Sequence, residues 1–371
     1  MDERGEQISS MLAERIAAGD FPSAVYVVAE RGRVVLEDAL GFAVLGREQY
    51  AVTPGTIYDL ASLTKPLVTG LLCARGIERG ELGLDDRVAR YLPEFESDDK
   101  RAVTVGQLLT HTSGLPAWRP LYITTGGDRE RALAVIARQP LEATPGARVL
   151  YSDLGFIALG FLLERLGGAR LSEIARREIF LPLGLERTFF NPGPDLKTGV
   201  AACETGNAYE RQMCVETQAG EYDNWREGPI WGEVHDGNAH FLGGAAGHAG
   251  LFSTARETLR IAGQFIAGRT ELLTSETCAL FRTNLTPGLE EARSVAWQLA
   301  ATVDSTAGPD LPPESFGHLG FTGTSCWNDP VHERTFILLT NRTHARALPF
   351  VNINSVRRKF HTLAVAALGR R

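Results

Sequence analysis

The sequence predicts an α+β protein, with an antiparallel sheet flanked by helices and a mostly helical lobe inserted into it. Two strand patterns lie near the N-terminus, three lie near the C-terminus, and helical patterns dominate between them. The 371 residues suffice for one large domain with two lobes or for two domains. We expect residues 1–80 and 290–371 to form an α/β sandwich lobe and residues 81–289 to form the helical lobe.

The first elements are a helix and a hairpin. Apolar residues recur at helical spacing over residues 6–19, where Gly19 favours a helix end. Two apolar runs, at 24–30 and 34–40, then flank Arg31-Gly32-Arg33, which is typical of a β-hairpin.

The middle of the chain is mostly helical in pattern. Helices are predicted at 84–91, 105–109, 129–138, 153–166 and 172–180. Residues 191–250 are rich in glycine, asparagine and aromatic residues and lack periodicity, so we expect a long irregular loop that is functional or mobile. Thr254 and Glu257 have the spacing of a capping box for a helix ending near Gly268.

The C-terminal part returns to strands. Three strand patterns, at 295–299, 317–327 and 335–341, precede a last amphipathic helix at 353–368. Together with the N-terminal hairpin, they predict a sheet assembled from both ends of the chain.

Composition excludes several classes of function. The net charge is −7 and the basic residues are dispersed, so nucleic acid is not an expected partner. No apolar run approaches the length of a membrane helix, and the first residues are charged and polar, so we expect a cytoplasmic protein unless a leader was removed. The five cysteines show no C-x-x-C spacing, which fits free thiols. The oligomeric state stays open.

The strongest chemical signal is a serine and a lysine at the head of an apolar run. Ser62 and Lys65 are three residues apart, so on a helix their side chains share one face. Pro66 is tolerated in a first helical turn, so the helix is expected to begin near Ser62. A serine nucleophile needs a neighbouring base, and a lysine whose pKa is lowered by burial can serve. The free amides of the first turn can also hold an oxyanion.

A second S-x-x-K sequence runs from Ser97 to Lys100. It lies in a charged run without apolar periodicity, which is typical of a solvated turn. The chain has only four lysines, so Lys65 in its apolar setting is not a routine surface charge.

Two further stretches carry candidate site residues. Tyr151 stands at the start of a predicted helix, where a phenol beside a cationic lysine can relay a proton; the alternative is a packed ring whose hydroxyl caps a neighbour. Residues 317–325 carry repeated glycines along a predicted strand, which marks a close approach of ligand or backbone; the alternative is a bulged strand. An exposed strand edge there can supply one backbone amide that stabilises an oxyanion, and the amide of Ser62 can supply the second.

Three short stretches resemble, in order, the S-x-x-K, Y-x-N and K-T-G motifs of the serine β-lactamase and penicillin-binding-protein superfamily. They are Ser62-Leu63-Thr64-Lys65, Tyr151-Ser152-Asp153 and His318-Leu319-Gly320. Four further stretches resemble the class C-like branch of this superfamily, which includes D-alanyl-D-alanine carboxypeptidases and esterases. They are LLTHTSGLP, PLGLERTFF, GEVHDGNAHFLGG and AGHAGLFSTA. The last two look most like penicillin-binding protein 4B and its relatives. The resemblance covers about residues 20–365.

This resemblance implies a β-lactamase/transpeptidase-like fold and a serine hydrolase that acts through an acyl-enzyme, without a cofactor or metal. It implies the following roles: Ser62 as nucleophile, Lys65 as base, Tyr151 as proton relay, the amides of Ser62 and Phe321 as oxyanion hole, and Asp153, His318 and Gly320 as substrate contacts. A literal K-T-G at Lys197-Thr198-Gly199 has no strand pattern around it, and the motif needs a strand beside the nucleophile. We therefore take residues 318–320 as the third motif.

The departures from the family pattern bear on the substrate. His318 is about half charged where the family usually has a cation, and Leu319 has no hydroxyl. Asp153, where the family usually has an amide, accepts but does not donate when ionised. These changes weaken capture of a carboxylate, so we expect a small neutral ester or amide as the substrate. Penicillin-binding, carboxypeptidase or β-lactamase activity is the alternative, and Tyr151 is the default base for deacylation.

Other interpretations stay open. One of them is a zinc site. Residues of the types that bind zinc lie close together in the chain, although their spacing matches no familiar site: they are His235, Asp236, His240 and His248. Four aromatic residues either wall an acyl pocket or anchor the long loop: Tyr209, Tyr222, Trp225 and Trp231. A catalytically silent binding domain is a further alternative, but the intact Ser62, Lys65 and Tyr151 argue against it.

Overall fold

The computed structural model describes residues 3–369. The strands of this part are β1 (Ser23–Glu30), β2 (Arg33–Val44), β3 (Tyr50–Ala51), β4 (Tyr58–Asp59), β5 (Phe189–Phe190), β6 (Leu251–Ser253), β7 (Gln298–Leu299), β8 (Phe316–Leu319), β9 (Ser325–Asp329) and β10 (Arg334–Thr340).

The α-helices of the described part are α1 (Glu3–Ala17), α2 (Leu71–Glu78), α3 (Val105–Leu109), α4 (Leu121–Thr124), α5 (Ala132–Arg138), α6 (Asp153–Gly167), α7 (Leu171–Ala175), α8 (Ala208–Glu216), α9 (Gly237–Phe241), α10 (Ala255–Ala262) and α11 (Asn354–Leu368). Short 3₁₀ and π-helical turns extend several of them, among them Ala61–Leu63 and Lys65–Gly70, which lead into α2. No helix within residues 3–369 is long and apolar enough to cross a membrane.

The main sheet has seven antiparallel strands in the order β3-β2-β1-β10-β9-β8-β7. β1 lies between β2 and β10, and its Val28 pairs with Phe336 of β10. N-terminal and C-terminal strands therefore share one sheet, which confirms the predicted architecture. A smaller sheet, β4-β6-β5, leads the chain from β4 into the segment that carries Ser62.

Both faces of the main sheet are covered. Side chains alternate along a strand, and along β1 Val25 and Val27 join the large core that contains α2, α6 and α10. Tyr26 and Val28 point to the opposite face, where they pack with α1 and α11. The helix α10 contacts β1 and β10, although it falls within the predicted helical lobe. The division of the chain at 81 and 289 stays a prediction.

Three details of the prediction were wrong. The predicted strand at 317–327 is a hairpin, in which β8 and β9 are joined by a turn at 320–324 where Gly323 has a φ of +112°. The predicted helix at 84–91 is a single 3₁₀ turn, Val88–Arg90. The capping box before α10 is half present: the Thr254 side chain accepts from the Glu257 amide, but the Glu257 carboxylate binds the amides of residues 186 and 187.

The stretch at 191–250 is not a structureless loop, because it contains α8 and α9. The helix α8 buries only Glu210 and Cys214. A helix that buries so little apolar surface has no apolar stripe, and periodicity could not identify it.

Candidate active site

The three motif stretches meet at one cleft. A cavity of about 320 Å³ is lined by Ser62, Tyr151, Asp153, Gly320 and Phe321, which are five of the seven predicted site residues. The other two, Lys65 and His318, are buried beside it. Folding therefore brings together residues that are more than 250 positions apart in the chain.

The start of the Ser62 helix is tightly held. Ala61 has a φ of +48°, a conformation that a non-glycine residue keeps only when its surroundings enforce it. Its amide donates to Asp59 Oδ1 at 2.8 Å, and its carbonyl accepts from Thr64 Oγ1 at 2.7 Å. The other Asp59 oxygen accepts from the amide of His235 at 2.7 Å. These bonds fix the turn that presents Ser62, and the helix begins where Pro66 indicated.

Lys65 is fully buried and makes three polar contacts. Its Nζ donates to Ser62 Oγ at 2.9 Å and to the His248 carbonyl at 3.2 Å, and it lies 2.7 Å from Asp153 Oδ1. Burial alone would lower the pKa of Lys65, but the charge of Asp153 and the interaction with Tyr151 outweigh it, so the pKa is raised. The expectation of a lowered pKa was wrong, because the carboxylate beside the amine stabilises the ammonium form.

Tyr151 and Asp153 are positioned by the start of α6. Ser152, between them, caps this helix by accepting from the Gly155 amide at 3.1 Å. The Ser152 amide donates to Nδ1 of the buried His111 at 3.0 Å. The His111 ring stacks on the Tyr151 ring at 4.3 Å between centroids, and Lys65 Nζ lies 5.0 Å from the centre of the Tyr151 ring. The phenol ring therefore packs against an imidazole and lies close to the amine.

The turn at 320–324 lies directly against the Ser62 segment. Thr322 Oγ1 donates to the Asp59 carbonyl at 2.8 Å, and Thr324 Oγ1 donates to the Leu60 carbonyl at 2.9 Å. A Cβ on Gly320 would come within 1.9 Å of Thr324 Oγ1 and 2.5 Å of the Leu60 oxygen. Glycine is required at 320 because the two backbones approach so closely.

His318 is neutral. Burial, together with the charges of Lys65 and Arg293, holds the pKa of His318 well below its ordinary value. Its Nδ1 lies 2.9 Å from the Leu319 carbonyl, which can only accept, so Nδ1 carries the proton. The expectation of a half-charged His318 was wrong, because within residues 3–369 no acidic side chain pairs with the ring to offset the cost of burying a cation.

The cleft also contains residues that sequence reasoning missed. These are Trp118, Glu210, Met213, Arg342 and Arg357. Glu210 is buried, and its carboxyl accepts from the Gly237 amide at 2.6 Å and from the Tyr122 hydroxyl at 2.8 Å. Burial and the charge of Asp236 raise the pKa of Glu210 to about 7. A buried acid on a mostly exposed helix gives no sequence signal.

The proposed zinc ligands do not come together as a set. His248 Nε2 lies 2.9 Å from Asp236 Oδ1, but His235 Nε2 lies 2.9 Å from Glu204, and the His240 side chain is 48% exposed. A different trio among residues 3–369, Asp153, Asp236 and His248, has ligand atoms within 4.8 Å of one another. The Lys65 ammonium already places a positive charge beside Asp153, which disfavours a metal ion there.

Of the four aromatic residues considered for an acyl pocket, most lie outside the cleft. Tyr209 lines it, whereas Tyr222 and Trp225 pack on Tyr122, and Trp231 packs on Tyr50. The other three of the four aromatic residues therefore anchor the chain rather than wall an acyl pocket.

The second S-x-x-K sequence and the literal K-T-G sequence make local contacts away from the cleft. Lys197 of the literal K-T-G lies over the Trp231 ring, with Nζ 4.9 Å from its centre. In the second S-x-x-K, the Ser97 hydroxyl donates to Asp99, while Lys100 is buried and pairs with the same Asp99. The Lys100 side chain is not solvated, contrary to expectation, but the Ser97 hydroxyl bonds to Asp99 and not to the Lys100 amine.

The chain matches the family model described as Beta-lactamase over residues 8–354. A protein of Escherichia coli named "Putative D-alanyl-D-alanine carboxypeptidase" is 32% identical over 376 aligned residues, which cover 92% of this chain and 83% of the relative.

Solved structures share the fold. EstCE1, described as a hydrolase with promiscuous acyltransferase activity, has a TM-score of 0.74 at 24% identity, covering 96% of this chain and 98% of its own. A penicillin-binding protein homologue from Caulobacter crescentus has a TM-score of 0.74 at 22% identity, covering 98% of both chains. A match over nearly the whole chain, together with an S-x-x-K serine and lysine in one cleft, identifies the protein as a serine hydrolase of the beta-lactamase family.

Proposed function

We propose that the protein hydrolyses small neutral esters through an acyl-enzyme on Ser62. The observation that carries this proposal is the setting of His318, at the position where the family usually has a cation. The ring is buried, its Nδ1 lies 2.9 Å from the Leu319 carbonyl, and its pKa is held well below the ordinary value, which favours the neutral imidazole. Without a charge there, the third motif has no ion to offer a substrate carboxylate, whereas an ester needs only the nucleophile and an oxyanion hole. Chemistry through an acyl-enzyme also agrees with the description of the structural neighbour EstCE1 as a hydrolase with promiscuous acyltransferase activity.

In the proposed reaction, Lys65 is the base in its neutral form. It takes the Ser62 proton across the 2.9 Å contact while Ser62 Oγ attacks the ester carbonyl. The amides of Ser62 and Phe321 stabilise the oxyanion. Tyr151, held beside the amine, passes the proton to the departing alcohol. Water then attacks the acyl carbon, and Tyr151 acts as its base by taking the water proton while it passes its own to the neutral Lys65. Lys65 returns that proton to Ser62 Oγ as the acyl bond breaks, which releases the acid and the free serine.

A second candidate is a carboxypeptidase acting on a D-alanyl-D-alanine terminus. The relative from Escherichia coli carries that name, and two arginines, Arg342 and Arg357, line the cleft. Among the described residues, these guanidinium groups bond to carbonyl and amide oxygens and to no carboxylate. A substrate carboxylate would find a positive potential there, although not at His318.

The test is the intact mass of the protein after brief exposure to p-nitrophenyl butyrate, to benzylpenicillin and to a D-alanyl-D-alanine peptide, with Ser62→Ala as the control. Ester turnover that depends on Ser62, with little lasting penicillin adduct, is expected. A stable penicillin adduct on Ser62, or release of D-alanine faster than ester cleavage, would favour the second candidate. If no Ser62-dependent reaction occurred with any of the three, the silent-domain alternative would stand.

A further inference from the structure

The turn at 320–324 carries the proposed oxyanion donor, the amide of Phe321. This amide donates to no residue in the described part of the chain, and Phe321 lines the cleft with Ser62. The same peptide unit contains the carbonyl of Gly320. A trans peptide is planar, so its C=O and N–H point in opposite directions. Whatever fixes the Gly320 carbonyl therefore also aims the Phe321 N–H.

Two groups hold that carbonyl: the Gly323 amide, which donates to it at 3.1 Å within the turn, and the guanidinium of Arg357 on α11. Its Nη2 donates to the Gly320 oxygen at 3.0 Å and to the Thr324 oxygen at 3.0 Å. One guanidinium group thus ties together the first and last residues of the turn. Its Nη1 donates to Asn354 Oδ1 at 2.9 Å, which fixes the group on its own helix. Arg357 is only 4% exposed, and no described carboxylate neutralises it.

We propose that Arg357 is a positioning residue for catalysis, which locks and polarises the Gly320–Phe321 peptide unit so that its N–H stabilises the oxyanion. A cation bonded to a carbonyl draws electron density from the peptide group, and hydrogen bonds in a chain strengthen one another. The positive charge lies behind the donor amide, at the place where negative charge develops in front of it. The second arginine of the cleft, Arg342, supports the same turn, since its Nε donates to the Phe321 carbonyl at 2.7 Å.

This role differs from contact with the substrate. Although Arg357 lines the cleft, it is only 4% exposed, and both terminal nitrogens of its guanidinium are occupied, Nη2 by two backbone oxygens and Nη1 by Asn354 Oδ1. Its loss should therefore lower the rate of the chemical step and leave substrate binding nearly unchanged. Loss of an arginine that binds the substrate would instead raise KM and leave kcat nearly unchanged.

The test compares Arg357→Gln and Arg357→Met with Arg358→Met. Arg358 is the matched control, because it is the next residue of α11 and bonds to the carbonyls of residues 304 and 305, away from the cleft. Arg357→Gln keeps one neutral donor, so it tests the charge if the methionine variant does not fold. Folding is checked by circular dichroism and thermal melting.

The readouts are ester kinetics and the affinity of an alkylboronic acid, which forms a tetrahedral adduct on the serine. For Arg357→Gln we expect kcat to fall about tenfold, less than the roughly 100-fold loss typical of deleting an oxyanion donor, with KM within twofold of wild type. The boronic acid affinity should fall in parallel, and Arg358→Met should match wild type. An unchanged kcat in a folded Arg357 variant, or a loss confined to KM, would overturn the proposal.

The inference rests on the proposed function, but the two fail differently. The boronic acid titration needs no turnover, so a wild-type protein that cleaves no ester and still binds the boronic acid more tightly than Arg357→Gln would refute only the proposed function. An active wild type with unaffected Arg357 variants would refute only the role of Arg357.

Discussion

Replacing Asp153 by asparagine should move the pH dependence of catalysis, because Asp153 sets the protonation of Lys65. Asp153 Oδ1 lies 2.7 Å from Lys65 Nζ, and Lys65 is fully buried. At this distance the attraction between unit charges is about 1.5 kcal/mol with the dielectric constant of water and about 6 kcal/mol with an effective constant near 20. At about 1.4 kcal/mol per pKa unit, this corresponds to a shift of about 1 to about 4 units.

The lower part of this interval is expected, because the Asp153 side chain is 20% exposed and water screens it. The pKa of Lys65 is raised in the wild type; without the carboxylate, burial is left to lower it. The neutral amine then forms at lower pH, so the acidic limb of the profile of kcat/KM should move down by roughly 1 to 2 pH units.

The assay is ester cleavage between about pH 5 and 10, with Ser62→Ala subtracted at every pH as the uncatalysed background. Asp128→Asn is the control, because Asp128 is exposed and only caps a short turn. An acidic limb that stays within about 0.3 pH unit of the wild type would refute the reasoning, since a full charge at this distance is worth at least about one unit.

Three further predictions concern other residues of the site and its decoy. Gly320→Ala should reduce kcat about 100-fold or more by displacing the proposed oxyanion donor, because its Cβ would come within 2.5 Å of the Leu60 oxygen; activity above one tenth of wild type would contradict this. Lys197→Ala should leave ester turnover within about twofold of wild type, a typical surface effect, since its ammonium lies over Trp231 and not in the cleft; a large loss would restore the literal K-T-G as the third motif. The raised pKa of Glu210, about 7 against an ordinary 4.5, means that the contribution of this carboxyl to stability is full below about pH 4.5 and is lost as the pH rises through about 7. Glu210→Gln should therefore gain stability relative to wild type from pH 4.5 to pH 8, by up to roughly 3 kcal/mol, measured by urea unfolding at both pH values; an equal difference at both would refute the shift.

Much of the fold could be predicted because its signals are local. The hairpin of β1 and β2 follows from two apolar runs around Arg31-Gly32-Arg33, and α3 lies where the helical pattern at 105–109 predicted it. The helix α8 could not be predicted, because its buried side of Glu210 and Cys214 is not an apolar stripe. The hairpin of β8 and β9 was read as one strand because a turn that depends on Gly323 looks, in sequence, like one glycine among several.

By itself, the sequence determined the candidate nucleophile and its neighbour, because Ser62 and Lys65 are one turn apart and helical geometry alone brings them together. It also determined that the sheet joins both ends of the chain. Only the tertiary structure decided the charge of the site. The pKa of Lys65 is raised by Asp153 and that of His318 is lowered by burial, and both effects depend on groups far away in the chain. Proton affinity is set by the full surroundings of a group, which exist only after the chain has folded.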